Sequence, residues 1–227
     1  MAATTPESRG RWARRGLSTR AGLDRTTQAM LLRQLYLAHY EVRRFAHARR
    51  VAEQAIELDV LADVAHQDAA RAALAEGDLD GGVSHLRLAA RRGPASRRPF
   101  HWWTLGSVLF LAHRYAEASA ALERAVRWGT TDKPLYRAHL ALVRIAAGER
   151  VSGLQEVIDD LAIAPCGQGY GRFVLGHLAY AAGAWPAARR YLQAFVQRTE
   201  RGRPAMALAL DGELTLARST LLKMSND

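Results

Sequence analysis

The chain has 227 residues, 49% hydrophobic and 24% charged, which is enough for one sizeable core or for an array of small units. No apolar run approaches the roughly 18 residues of a membrane span, the single Cys166 cannot close an intramolecular disulfide, and MAATTPESRGRWARRG lacks the apolar stretch of a secretory signal, so a cytoplasmic protein is expected. The net charge is +10, and of 32 basic residues only Lys133 and Lys223 are lysine, a bias that suits phosphate or carboxylate recognition but that GC-rich codons also produce.

Residues 1–28 carry Arg9, Arg11, Arg14, Arg15, Arg20 and Arg25 against Glu7 and Asp24. With little apolar content beyond Trp12, Leu17 and Leu23, this stretch is expected to be a flexible basic arm. From Ala29 a pattern recurs. The segments 29–62, 63–96, 99–132, 134–167 and 169–202 each read as two amphipathic helices joined by a short turn. The seventh position reads Leu35, Ala69, Leu105, Leu140 and Leu175, and the eighth reads Tyr36, Ala70, Gly106, Ala141 and Gly176. The twentieth is always small (Ala48, Gly82, Ala118, Gly153, Ala188), and the twenty-fourth is apolar or small (Ala52, Leu86, Leu122, Val157, Leu192). Gly77, Gly148 and Gly183 share one turn position, where a residue with φ > 0 ends a helix cheaply. Residues 203–227 read as a shortened capping pair, with a turn at Asp211-Gly212 and a polar end.

The period of 34 residues, with Trp102-x2-Leu105-Gly106 and then Ala118-x3-Leu122, and again Leu175-Gly176 and Ala188-x3-Leu192, resembles the tetratricopeptide repeat. Pro94 and Pro165 stand where that repeat closes with proline. The resemblance implies an all-α, right-handed superhelical solenoid of antiparallel helix pairs over 29–202. It also implies a concave groove, lined by the first helices, that receives a peptide or helix. Carried onto this chain, the groove positions include Arg33, Tyr40, Arg71, Trp103, Phe173, His177 and Tyr180. Trp102 then takes the packing position and Trp103 the groove. The family's carboxylate clamp uses asparagine and lysine in the first repeats; this chain has neither before Lys133, so an apolar or amphipathic segment is the expected ligand.

Chemistry has little footing in the sequence. The eight histidines form no H-E-x-x-H or H-x3–5-H pair, Cys166 stands alone, and no metal site or cofactor is expected. The run Gly167-Gln168-Gly169-Tyr170-Gly171 follows a helix and reads as a linker, and Asp159-Asp160 point about 100° apart on a helix. The expected function is therefore a non-catalytic adaptor, scaffold or chaperone-like module for an acidic or amphipathic protein segment. The alternative is a basic accessory protein that holds nucleic acid or another polyanion on Arg91, Arg92, Arg97 and Arg98, which flank Gly93-Pro94. The repeat phase itself can be tested. Ala118→Leu should overpack the helix crossing and cost roughly 1–3 kcal/mol, read by thermal unfolding; an unchanged transition would mean that the phase is misplaced.

Overall fold

The computed structural model of the chain describes residues 5–19 and 22–226. These are all-helical, with no strand among the described residues. The chain divides into two compact units, Met1–His101 and Trp102–Asp227, and the division falls inside one helix. The first unit holds Pro6–Leu17 (α1), Arg25–Glu41 (α2), Phe45–Glu57 (α3), Ala62–Ala75 (α4), Leu79–Arg92 (α5) and the start of Arg98–Leu111 (α6). The second holds the rest of α6, Tyr115–Trp128 (α7), Lys133–Ala146 (α8), Leu154–Ile163 (α9), Gly171–Ala181 (α10), Trp185–Glu200 (α11), Pro204–Ala209 (α12) and Asp211–Asn226 (α13). Helices adjacent in the chain pack on one another, α2 with α3, α4 with α5, and α10 with α11.

The repetition shows most clearly in how five helices stop. Arg43, Gly77, His113, Gly148 and Gly183 have φ of 58°, 85°, 59°, 84° and 75°. The residue after each donates its N–H to a carbonyl five residues back: Arg44 to His39, Asp78 to Ala73, Arg114 to Leu109, Glu149 to Arg144, and Ala184 to Ala179. This left-handed closure satisfies carbonyls that a helix end leaves open and reverses the chain. All five stand at the fifteenth position of the expected segments. Three are glycine, as the turn requires. Arg43 and His113 hold the same conformation without it, and the His113 ring is tied to the Tyr115 hydroxyl at 2.7 Å.

The small positions lie where two helices cross. A Cβ placed on Gly106 would sit 2.6 Å from Leu122 Cγ and 3.3 Å from the Ala118 carbonyl, and one on Gly176 would sit 2.5 Å from Leu192. A Cβ on Gly82 would meet Leu74 at 2.7 Å and the Ala70 carbonyl at 3.4 Å. Ala48, Ala118 and Ala188 are fully buried. Gly153 departs from the rule. It has φ 66°, is exposed, and precedes α9, which begins four residues later than the pattern predicts. Val151, Ser152 and Gly153 are weak helix formers, so this helix loses its first turn.

The expected flexible arm requires correction. Of its residues, 1–4, 20 and 21 lie outside the described residues, but Pro6–Leu17 is a helix, and Arg25 already belongs to α2. Thr5 caps α1 by accepting the Ser8 N–H at 3.2 Å, with Pro6 in its first turn. Its buried face is Gly10 and Ala13, not a row of large apolar residues. A Cβ on Gly10 would come within 3.3 Å of Ala38, and one on Gly16 within 2.9 Å of Leu31. Arg9 adds an ion pair to Glu41 at 2.8 Å. Small residues let α1 lie close on α2, and backbone proximity replaces side-chain bulk. At the other end, Asp211 and Gly212 are not a turn but open α13; the break falls at Leu210.

Gly148 isolates the backbone contribution to these closures, because nothing lies within 4 Å of the position its Cβ would take. Gly148→Ala should therefore destabilise by about 1–2 kcal/mol through its positive φ alone. Chemical denaturation should show a lower midpoint with an unchanged slope.

Candidate functional site

In the first unit, α2, α3 and α4 enclose an apolar cavity of about 190 Å³. Its wall is Leu32 and Tyr36 from α2, Val51 and Ala55 from α3, and Val64 and Ala65 from α4. Met30 and Leu61, among its lining residues, are 58% and 39% exposed. Leu61 stands in the left-handed region at φ 54°, and Asp59 two residues before it is at 53°, so the turn into α4 is strained. Tyr36 is 1% exposed, and its hydroxyl has no hydrogen-bond partner among the described residues. Burial and the neighbouring Asp68 hold that hydroxyl well above its ordinary pKa, so it stays protonated.

One polar cluster borders this cavity. Arg33 Nε donates to Asp68 Oδ2 at 3.1 Å, and Arg71 donates to Oδ1 at 3.3 Å. Burial pushes the Asp68 carboxyl above the usual range, against the pull of Arg71 and Arg33. The two arginines expected in a groove thus converge on one buried carboxylate. Tyr40 is buried as well, stacked on Tyr36 at 5.5 Å and tilted against Phe45 at 5.4 Å.

In the second unit, Trp103, Phe173 and His177 also come together, but inside the core. Trp103 is 8% exposed, Phe173 0% and His177 7%. The indole N–H of Trp103 donates to His139 Nδ1 at 3.1 Å, and its ring meets Tyr170 edge-on at 4.7 Å. Phe173 lies against His177 at 4.6 Å. Tyr180 alone of the expected groove aromatics is half-exposed. The division of labour between Trp102 and Trp103 disappears, since both are 8% exposed; Trp102 carries the Arg124 guanidinium 4.5 Å over its ring. These rings fill space between helices of the unit, and that is why they cannot line an open groove.

The sequence reading passed over three members of this core. Tyr170, taken as part of a linker, donates its hydroxyl to Glu213 Oε1 at 3.1 Å. Glu213, placed in a polar cap, is 6% exposed. His139 accepts from Trp103 on Nδ1, so its proton sits on Nε2, which has no partner. Burial drives His139 down to about 3 and His177 down to about 4, and both rings are neutral.

Two arginines of the expected basic patch meet carboxylates. Arg97 clamps Asp63 with two bonds at 2.8 and 2.9 Å, and His101 Nε2 meets the same carboxylate at 2.8 Å. Arg98 Nε donates to the Gly93 carbonyl at 2.8 Å, and Arg92 lies 3.7 Å from Asp59. Arg91, Arg92 and Arg98 remain exposed. No group of three or more metal-ligating side chains occurs among the described residues, and no described helix is long and apolar enough to cross a membrane. No protein-family model matches the chain, and no curated protein matches it.

Glu213 supplies a pH test of the core. Burial raises its carboxyl from 4.5 to about 7, so the folded chain keeps a proton that the unfolded chain has released. Stability from this site is complete below about pH 4.5 and is lost as pH rises through about 7. Glu213→Gln should therefore melt higher than the wild type at pH 8 and alongside it at pH 4. The buried histidines act in the opposite sense, losing stability as pH falls, and they cancel in this comparison. Parallel melting curves at both pH values would refute the buried carboxylic acid.

Proposed function

We propose that the chain is a helical-repeat protein of the tetratricopeptide type, a solenoid of antiparallel helix pairs that binds a segment of another polypeptide without catalysis. Five helix pairs closed by the same left-handed turn at steps of 34 to 36 residues support the repeat reading. The binding reading is carried by the apolar cavity of the first unit. A hollow of about 190 Å³ is of the order of one large apolar side chain, and the half-exposed Met30 and Leu61 are suited to receive the residues beside it. The ligand is accordingly a segment with one apolar anchor and not a row of aromatics laid along a groove. The buried positions of Trp103 and Phe173 favour the cavity over that longer groove. Trp103→Ala, which removes a buried ring and strands His139, is unsuitable as a binding-only variant.

A displayed library of random peptides, selected on the full chain, provides probes of known sequence. Selected peptides should share one large apolar residue and should lose at least about tenfold in affinity, near 1.4 kcal/mol, to Val64→Trp, which fills the hollow. Leu61→Lys at the cavity margin should have a similar effect with little change in unfolding. Undiminished binding to both variants would refute the cavity as the site.

A further inference from the structure

Much of the basic charge in this chain is spent on its own carboxylates, as Arg33, Arg71 and Arg97 show. One face of the first unit escapes this. The stretch Arg43–Arg50, RRFAHARR, has four arginines and a histidine in eight residues, with no acidic residue. It spans the turn after α2 and the first turns of α3, where Arg43, Arg44, His47 and Arg50 are exposed. His39, near the end of α2, stacks on His47 with ring centroids 5.4 Å apart. Arg14 of α1 reaches the same place: α1 lies along α2 with Gly10 against Ala38, and an Arg14 guanidinium nitrogen is 3.7 Å from the position a Gly10 Cβ would take. Burial and then the charges of His47, Arg14, Arg44 and Arg50 hold the His39 pKa below its usual value. None of Arg14, Arg43, Arg44 and Arg50 is in an ion pair among the described residues, and the nearby Glu41 is taken by Arg9. Only Arg49, on the other side of α3, is engaged, with Glu53, Glu76 and Asp78.

We propose that this face, formed by Arg14, His39, Arg43, Arg44, His47 and Arg50, binds the phosphate backbone of a single-stranded nucleic acid. A surface of one sign without interleaved carboxylates suits a polymer that is itself of one sign. An acidic protein surface would meet the same potential, and the poly-glutamate competition below separates it from a nucleic acid. A lipid surface calls for protruding apolar groups. Val42 is the only exposed large apolar residue in the segment, and the small-residue face of α1 is already buried on α2. Guanidinium forks bind phosphate oxygens in pairs, and the exposed ring of His47 offers a face on which an unpaired base stacks.

The test is fluorescence anisotropy of a labelled thymidine oligonucleotide titrated with the full chain at several salt concentrations. Arg14→Ala/Arg44→Ala/Arg50→Ala changes only exposed side chains, and its melting curve should match the wild type. It should weaken binding at least tenfold at low salt and reduce the log–log salt slope by about 2, near 0.7 for each lost phosphate contact. Arg91→Ala/Arg92→Ala should leave binding unchanged. On saturation with the oligonucleotide, the His39 ring should titrate at higher pH by NMR. A wild-type slope near zero, a triple variant that binds as tightly as the wild type, or an equal loss in the Arg91/Arg92 variant would each overturn the proposal. Displacement of the oligonucleotide by poly-glutamate or by phosphatidylserine vesicles at equal charge would overturn it in favour of an acidic protein or a membrane surface.

Discussion

Two helix backbones can lie against each other only where neither carries a bulky side chain at the crossing, and the packing of this chain follows from that constraint. Gly82, Gly106 and Gly176 are each placed so that a single added methyl group would run into a leucine of the paired helix. The leucines that fill the sides of these crossings, Leu122 and Leu192, are fully buried. Close crossing in turn requires an abrupt chain reversal, and the five left-handed closures provide one each time. The same logic brings α1 onto α2 through Gly10 and Ala13. Small residues thus govern the geometry, while large ones set how much area is removed from water.

Tight crossings leave a second problem, which is the polar groups drawn in with the helices. The structure answers it differently in the two units. In the first, carboxylates on α4 are neutralised by arginine: Asp63 takes Arg97 together with His101, and Asp68 takes Arg33 with Arg71. In the second, burial shifts the titratable groups toward their uncharged forms. Glu213 is held as a carboxylic acid below about pH 7 beside Tyr170, and His139 is held as a neutral ring beneath Trp103. Removing one partner of a neutralised pair leaves an uncompensated buried charge, whereas an uncharged group costs its hydrogen bonds alone.

These two answers explain which parts of the architecture were legible in the sequence. Helix pairing was legible because the small positions and Gly77, Gly148 and Gly183 obey a fixed spacing that backbone geometry enforces. Helix α1 was not, because a Gly10–Ala13 face has no hydropathic contrast to detect. The late start of α9 was hidden because Gly153 satisfies the small-residue rule while adopting a conformation that no helix accepts. The roles of Trp103, Phe173 and Tyr40 failed for a different reason. Helical spacing gives the face of a residue but not what lies opposite that face, and here other aromatic rings lie opposite. Arg97 is lost from the basic patch for the same reason, since the carboxylate that absorbs it is 34 residues away.

Both proposed binding surfaces use the α2–α3 hairpin, and they use opposite ends of it. The cavity takes its wall from the first half of α2 and the later part of α3, whereas the cationic face takes the last turns of α2, the reversal at Arg43 and the start of α3. At about 1.5 Å per residue, Arg33 and Glu41 at the end of α2 are separated by about 12 Å along the helix. The ligands of the two surfaces therefore do not compete for side chains. Between them runs a row of rings, Tyr36 on Tyr40 and Tyr40 on Phe45, at 5.5 and 5.4 Å. Tyr36 belongs to the cavity wall, and Phe45 begins α3 beside Arg44. The hairpin is thus held by one aromatic stack whose two ends face different chemistry, an apolar hollow with an unpaired hydroxyl at one and a field of arginines at the other.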